Sequence, residues 1–159
     1  MEHQPILKSK PSVELNTTFN HTIEEYNFDN LSLEQTKTIY MDGRVFSHFI
    51  EHWIAKNYSL THVPGCKDHD FKDKIHSEII YDQKTFTERG CSFCPSNMLV
   101  QGRKFEPSRF EEHCKKLIFC IVSNIHFPNI KIRFVKGTEL FVKYPKGKIP
   151  LKDHIEFFN

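Results

Sequence analysis

The stretch HSEIIYDQKTFT (His76–Thr87) is rich in Ile, Tyr, Phe and Thr and predicts a β-strand from Glu78 to about Thr87. Side chains two residues apart on a strand share a face, so Asp82 and Lys84 project together. Just upstream, HVPGCKDHD (His62–Asp70) carries a Pro-Gly turn and ends in a second acid. A preceding strand over about 68–75 would make a hairpin and set Asp70 beside Asp82. Two carboxylates converging on one point repel, and are stable together mainly as ligands of a hard cation such as Mg²⁺. A lysine beside them can orient or activate an attacking water and offset charge on a pentavalent phosphate. Asp70, Asp82 and Lys84 are therefore candidate catalytic residues for metal-dependent phosphodiester hydrolysis. The alternative is a solvated hairpin laced with cross-strand ion pairs. A second acid-X-Lys triplet, Asp70-Phe71-Lys72, lies in a polar run and lacks the apolar SEIIY that leads into Asp82. His69 and His76 are read as solvated or phosphate-facing.

Working outward, Ser32 and Gln35 form a capping box that predicts a short helix over 33–41, broken at Asp42-Gly43. RVFSHFIEHWIAKNY then places Phe46, Phe49, Ile50, Trp53 and Ile54 on one face of a longer helix. After Pro107, SRFEEHCKK predicts a helix opening at Ser108. KLIFCIVSNI is a run of central-strand type, NIKIRFVKG alternates as a half-exposed strand, and ELFVKY reads as its pairing partner. The tail KIPLKDHIEFFN reads as a last strand or helix, and residues 1–30 as an arm or irregular lead-in. Helices, strands, helix, strands imply an α/β (α+β) domain around a mixed sheet.

At 159 residues the chain is one domain, able to bury a core without disulfides. No apolar run reaches the ~18 residues of a membrane span, and the N-terminus lacks a signal-peptide core; the expectation is a cytoplasmic protein with no membrane partner. The net charge of +2 is unevenly spread: residues 1–42 hold three Lys/Arg and seven Asp/Glu, residues 99–148 eleven Lys/Arg and four Glu. The second half suits a polyanion, the first another contact.

Five cysteines fit a disulfide framework poorly. Cys91-X-X-Cys94 followed by His113 and Cys114 has a spacing compatible with structural Zn²⁺. His113 and Cys114 point about 100° apart on a helix, so one would ligate, with Cys66, His69 or His126 as an outside fourth. The alternative is that the cysteines are small buried hydrophobes.

An acid after Pro-Gly, a hairpin, then Asp-X-Lys on the next strand resembles the PD-(D/E)XK nuclease superfamily, and within it the small PvuII-like Type II restriction endonucleases. PGCKDHD, IYDQKT, KLIFCIVSNI and KIPLKDHIEF carry the likeness, which runs from about Asp42 to the end at low identity. Asp82 stands where those enzymes have glutamate, about two extra residues separate the acids, and Lys67 replaces a glutamate between Pro-Gly and Asp70. The likeness does not extend to the Cys-X-X-Cys segment. The resemblance implies a restriction-endonuclease-like fold, a central mixed β-sheet flanked by helices, with Asp70 and Asp82 binding Mg²⁺ and Lys84 assisting the water. It implies an endonuclease cutting double-stranded DNA as a homodimer, with residues 1–41 and the helices over 33–58 as the dimer surface and 42–159 as the catalytic core. A cognate DNA methyltransferase would share the recognition sequence without needing to bind. Glu51 is an accessory acid by the same likeness, since a helix acid joins the site in some members. Arg89, Ser96, Asn97, Gln101, Arg103 and Lys104 are candidate DNA contacts. A homing or phage-type nuclease, a zinc-containing nucleic-acid-binding protein without catalysis, and an unrelated basic interaction domain are the rival readings.

Overall fold

In β6 (Ile118–Ser123) nearly every residue is buried, because the strand runs through the middle of a sheet covered on both faces. Phe119 and Ile121 face one apolar layer, Cys120 and Val122 the other. The computed structural model describes residues 10–65, 69–95, 98 and 104–159. Six strands form the main sheet: β1 (Thr18–Thr22), β7 (Asn129–Lys136), β6, β4 (Ile80–Phe86), β3 (Phe71–Asp73) and β2 (Leu60–His62), in that order. β4 and β6 are parallel, joined by a crossover that contains α3 (Pro107–Lys115); the other pairs are antiparallel. The molecule is thus α+β, a curled mixed sheet flanked by helices. Among the described residues no helix is long and apolar enough to cross a membrane.

α1 (Leu33–Met41) starts on the predicted capping box: Gln35 N–H donates to Ser32 Oγ at 3.1 Å and Ser32 N–H to Gln35 Oε1 at 2.9 Å. Asp42 both ends it and caps α2 (Gly43–Asn57), its Oδ1 accepting from the N–H groups of Arg44 and Val45 at 3.0 and 3.1 Å. α2 buries Phe46, Ile50 and Ile54 fully, with Phe49 and Trp53 at the margin, as the periodicity predicts. The opposite layer holds α3, α4 (Gly137–Lys143), α5 (His154–Phe157) and a small ribbon of β5 (Cys91–Ser92) with β8 (Lys148–Ile149), around Phe93, Phe110, Phe119 and Phe157.

Two elements differ from the expectation. ELFVKY is helix α4, not a strand beside β7, because both edges of β7 are already paired, one to β6 and one to β1. Leu140 and Tyr144, four apart, enter the core from the helix instead. The lead-in is also not wholly irregular, since TFNHT forms β1. Phe19 packs edge-on against Tyr58 and Phe134 at 5.7 and 6.3 Å, and His21 against Trp53 at 4.9 Å. One apolar residue and one histidine on the packed face give too weak an alternation to read from sequence. The tail supplies both a two-residue strand and a helix.

Candidate active site

α2 and β4 meet in register. Gly43, Ser47 and Glu51 lie four apart, about 6.0 Å along the helix, and Thr87, Thr85 and Gln83 two apart, about 6.7 Å along the chain. A Cβ at Gly43 would lie 3.1 Å from the Thr87 methyl, and Ser47 Oγ meets Thr85 Oγ1 at 2.7 Å. Gln83 Nε2 donates to Thr85 Oγ1 at 3.1 Å, fixing the same face. Where helix and strand separate lies a cleft of about 760 Å³, lined by Glu51, Asp70, Gln83 and Lys84, and by Arg44 and Arg89 at the end where α2 and β4 touch.

Asp70 owes its position to the end of a ladder. Its N–H donates to Tyr81 O at 2.9 Å, and the side chain takes over where the strand ceases, with Oδ2 accepting from Gln83 N–H at 2.8 Å. The carboxyl therefore sits at the sheet edge, open to both faces. Adjacent strand residues point to opposite faces, so Asp82 and Lys84 approach it from one side. Glu51 approaches from the α2 side. The expected hairpin brings Asp70, Asp82 and Lys84 together, and Lys84 Nζ lies 3.1 Å from Asp82 Oδ2.

Burial, a hydrogen bond with Asp82 and that residue's charge push Asp70 up to about 7. Burial lowers the Lys84 pKa, but Asp82 and Asp70 outweigh it and hold the ammonium above its usual range. Glu51 is raised by burial and then by Asp70, and is partly compensated by His62, whose Nε2 is 3.4 Å from Glu51 Oε2. Asp70 and Asp82, hydrogen-bonded to each other beside the Lys84 ammonium, are the oxygen donors that could hold a cation. Among the described residues no three His, Cys, Asp or Glu side chains group as a metal site. Glu51 and Asp82 flank Asp70 from opposite faces, which separates them. Two carboxylates with bound waters still match the usual ligation of Mg²⁺.

This arrangement has a pH signature. The unfolded Asp70 titrates near its ordinary 3.8 and the folded one near 7, so its protonated form favours the fold below pH ~4, and that stability is lost as pH rises through 7. His154, buried and 2.8 Å from Ser123 Oγ, has its pKa lowered by burial and works in the opposite sense, losing stability as pH falls below 6.5. Asp70→Asn isolates the first effect. Its Tm advantage over the parent, measured in EDTA, is expected to widen from pH 5 to pH 8 by roughly 3–6 °C. That corresponds to ~1–2 kcal/mol after discounting for solvent screening at a half-exposed carboxyl. An advantage that stays constant would mean that Asp70 ionises freely in the fold.

Of the residues expected to touch DNA, Arg89 lines the cleft, on a turn between β4 and β5. Lys104 lies elsewhere, beside Met98, Glu106 and Arg109. Ser96, Asn97, Gln101 and Arg103 fall outside the described residues, as does Cys66. Glu51 lines the cleft from α2. None of the basic residues from 104 to 148 lines the cleft: Lys131 borders a separate cavity of about 410 Å³, and Arg133 bonds the Phe157 carbonyl. Cys91, Cys94 and Cys114 are buried in the layer of Phe93 and Phe110, and burial raises all three thiols, Cys91 and Cys114 to about 12. They are free thiols, and His113 lies within 6.5 Å of Phe119, ring to ring. His62, Ser47, Gln83, Thr85 and Arg44 were not picked out from sequence. The 43/47/51 spacing on α2 carried the signal, but without knowing which helix face meets β4 it had no reader. No protein-family model matches the chain, and no curated protein and no solved structure matches it.

Proposed function

We propose that the cleft is the active site of a Mg²⁺-dependent endonuclease that hydrolyses phosphodiester bonds of double-stranded DNA, of the PD-(D/E)XK kind and acting site-specifically as a Type II restriction enzyme does. The observation that carries this reading is the convergence of Asp70, Asp82 and Lys84 at the end of the β3–β4 ladder, where Asp70 and Lys84 line the cleft and Asp82 is buried against them. The mixed sheet flanked by helices agrees with the fold this arrangement needs.

Asp70 and Asp82 would hold the ion. Bound there, Mg²⁺ supplies a Lewis acid for the phosphate and lowers the pKa of a coordinated water. The chain's own part is positional and electrostatic. Gln83 N–H keeps the Asp70 carboxylate turned to the cleft. Lys84 enters as an ammonium, so it donates a hydrogen bond and offsets charge growing on the phosphate, rather than acting as a base. It pairs with Asp82 until substrate or ion competes for that carboxylate. Glu51, held by His62, presents a further acceptor from the helix side.

One cleft per chain cuts one strand, so cleavage of both strands calls for a two-fold dimer. Phe28, Leu31, Leu33 and Val45 are exposed apolar side chains at and before α1 and at the start of α2, and we place the dimer contact there. The test is incubation of the purified chain with double-stranded phage DNA, with Mg²⁺ and with EDTA. Discrete fragments that need Mg²⁺ are expected. Intact DNA under every divalent cation tried would remove the nuclease reading.

A further inference from the structure

Two arginines line the cleft at the end where α2 and β4 touch. Arg44 is on the first turn of α2 and Arg89 is in the turn between β4 and β5. Both are exposed, and neither guanidinium makes an ion pair or hydrogen bond with another described residue; the hydrogen bonds they make are through the backbone. By contrast, the exposed Lys115 and Lys143 pair with Glu112 and Glu156 at 2.9 and 3.1 Å.

Both arginines grow from backbone that cannot drift. The close approach of Gly43 to Thr87 pins the start of α2, and Asp42 caps it. The Glu88–Arg89 turn is closed by Thr87 N–H to Gly90 O at 3.0 Å and Gly90 N–H to Thr87 O at 2.9 Å. Gly90 has φ +91°, and a Cβ there would lie 2.6 Å from Ile149 O, so only glycine lets this turn seat on β8. Rigid supports make for specific contacts.

The cleft lining is otherwise a poor host for a polyanion. Among the described residues, Asp42, Glu51, Asp70 and Glu88 outnumber Arg44, Lys84 and Arg89 by one. A nucleic-acid strand can lie there only if the cations stand where its phosphates pass. Arg44 lies seven residues before Glu51 on α2, about 10 Å along the axis, or roughly three nucleotides of strand rise. Arginine's planar fork suits a phosphate bidentately.

We propose that Arg44 and Arg89, one from the helix wall and one from the strand wall, form a clamp on the strand phosphates to one side of the cut, so that Arg89 grips backbone rather than reading a base. This rests on the nuclease reading above. The test is steady-state cleavage of short duplexes by the full chain with Mg²⁺, over a series of NaCl concentrations. Arg44→Gln and Arg89→Gln are each expected to raise KM about 5–20-fold and leave kcat within about twofold. Each should also reduce the slope of log(1/KM) against log[NaCl] by about one, and the double variant by about two, equally on every duplex cut. Arg44→Lys should keep the parent slope, and Lys115→Gln should change nothing. A KM and slope unchanged in Arg44→Gln, in an enzyme that still cleaves, would overturn the clamp and leave the nuclease standing. Loss of sequence discrimination in Arg89→Gln at constant slope would overturn it too, by making Arg89 a base reader. A parent chain that cleaves no DNA takes both readings away.

Discussion

Lys84→Ala is expected to lower kcat for Mg²⁺-dependent DNA cleavage on the order of 10³-fold, with little change in KM. The magnitude is that of removing one preorganised donor to charge that develops only in the transition state. The direction follows from the site. Lys84 stands 3.1 Å from Asp82, and both acids hold it as an ammonium, so among the described residues it is the positive side chain nearest the two acids. A donor to charge that grows only in the transition state contributes to kcat rather than to ground-state binding, so its loss should fall on kcat. Asp82→Ala should be at least as severe, since it removes one of the two carboxylates proposed to hold Mg²⁺. A Lys84→Ala chain that cleaves at the parent rate would sink the assignment of this residue, and the same result for Asp82→Ala would sink the site. Folding must be checked beside activity, because alanine at 84 leaves Asp82 buried without its counter-charge. The variant should lose more stability at pH 8 than at pH 5, where Asp70 holds its proton.

The largest stability effect is expected at a residue far from the cleft. Gly137 opens α4, and a Cβ there would sit 2.1 Å from the Cys114 carbonyl oxygen and 2.8 Å from its carbon. Those are backbone atoms at the end of α3 and cannot rotate away. Gly137 N–H also donates to Leu117 O at 2.9 Å, which ties the three segments together. Gly137→Ala must push α4 off α3 and draw Leu140 and Tyr144 from the layer they fill. We expect a loss of about 3 kcal/mol or more, a large fraction of the 5–15 kcal/mol typical of a domain. Urea or thermal unfolding measures it. A Tm within about 3 °C of the parent would contradict the close approach of the two helices.

Much of this molecule was legible before its structure. The capping box at Ser32, the apolar face of α2, the central character of β6 and the hairpin that pairs Asp70 with Asp82 and Lys84 all follow from local rules: periods of 3.6 and 2, caps, and turn residues. Those rules act over a few residues and need no partner. What they could not supply was placement between elements. ELFVKY alternates poorly either as helix or as strand, and only the occupation of both edges of β7 settled it as α4. β1 was invisible because one packed aromatic makes no pattern, although it closes the sheet. The basic residues after 104 could be counted but not placed, and they lie away from the cleft. The two arginines that matter most to the clamp sit in stretches with no charge excess. Residue identity and spacing along the chain determined three chemically marked side chains and the strands that bear them. Only the tertiary structure decided that Glu51 and His62 join them from across the sheet edge, because the pairing of a helix face with a strand depends on contacts far apart in sequence.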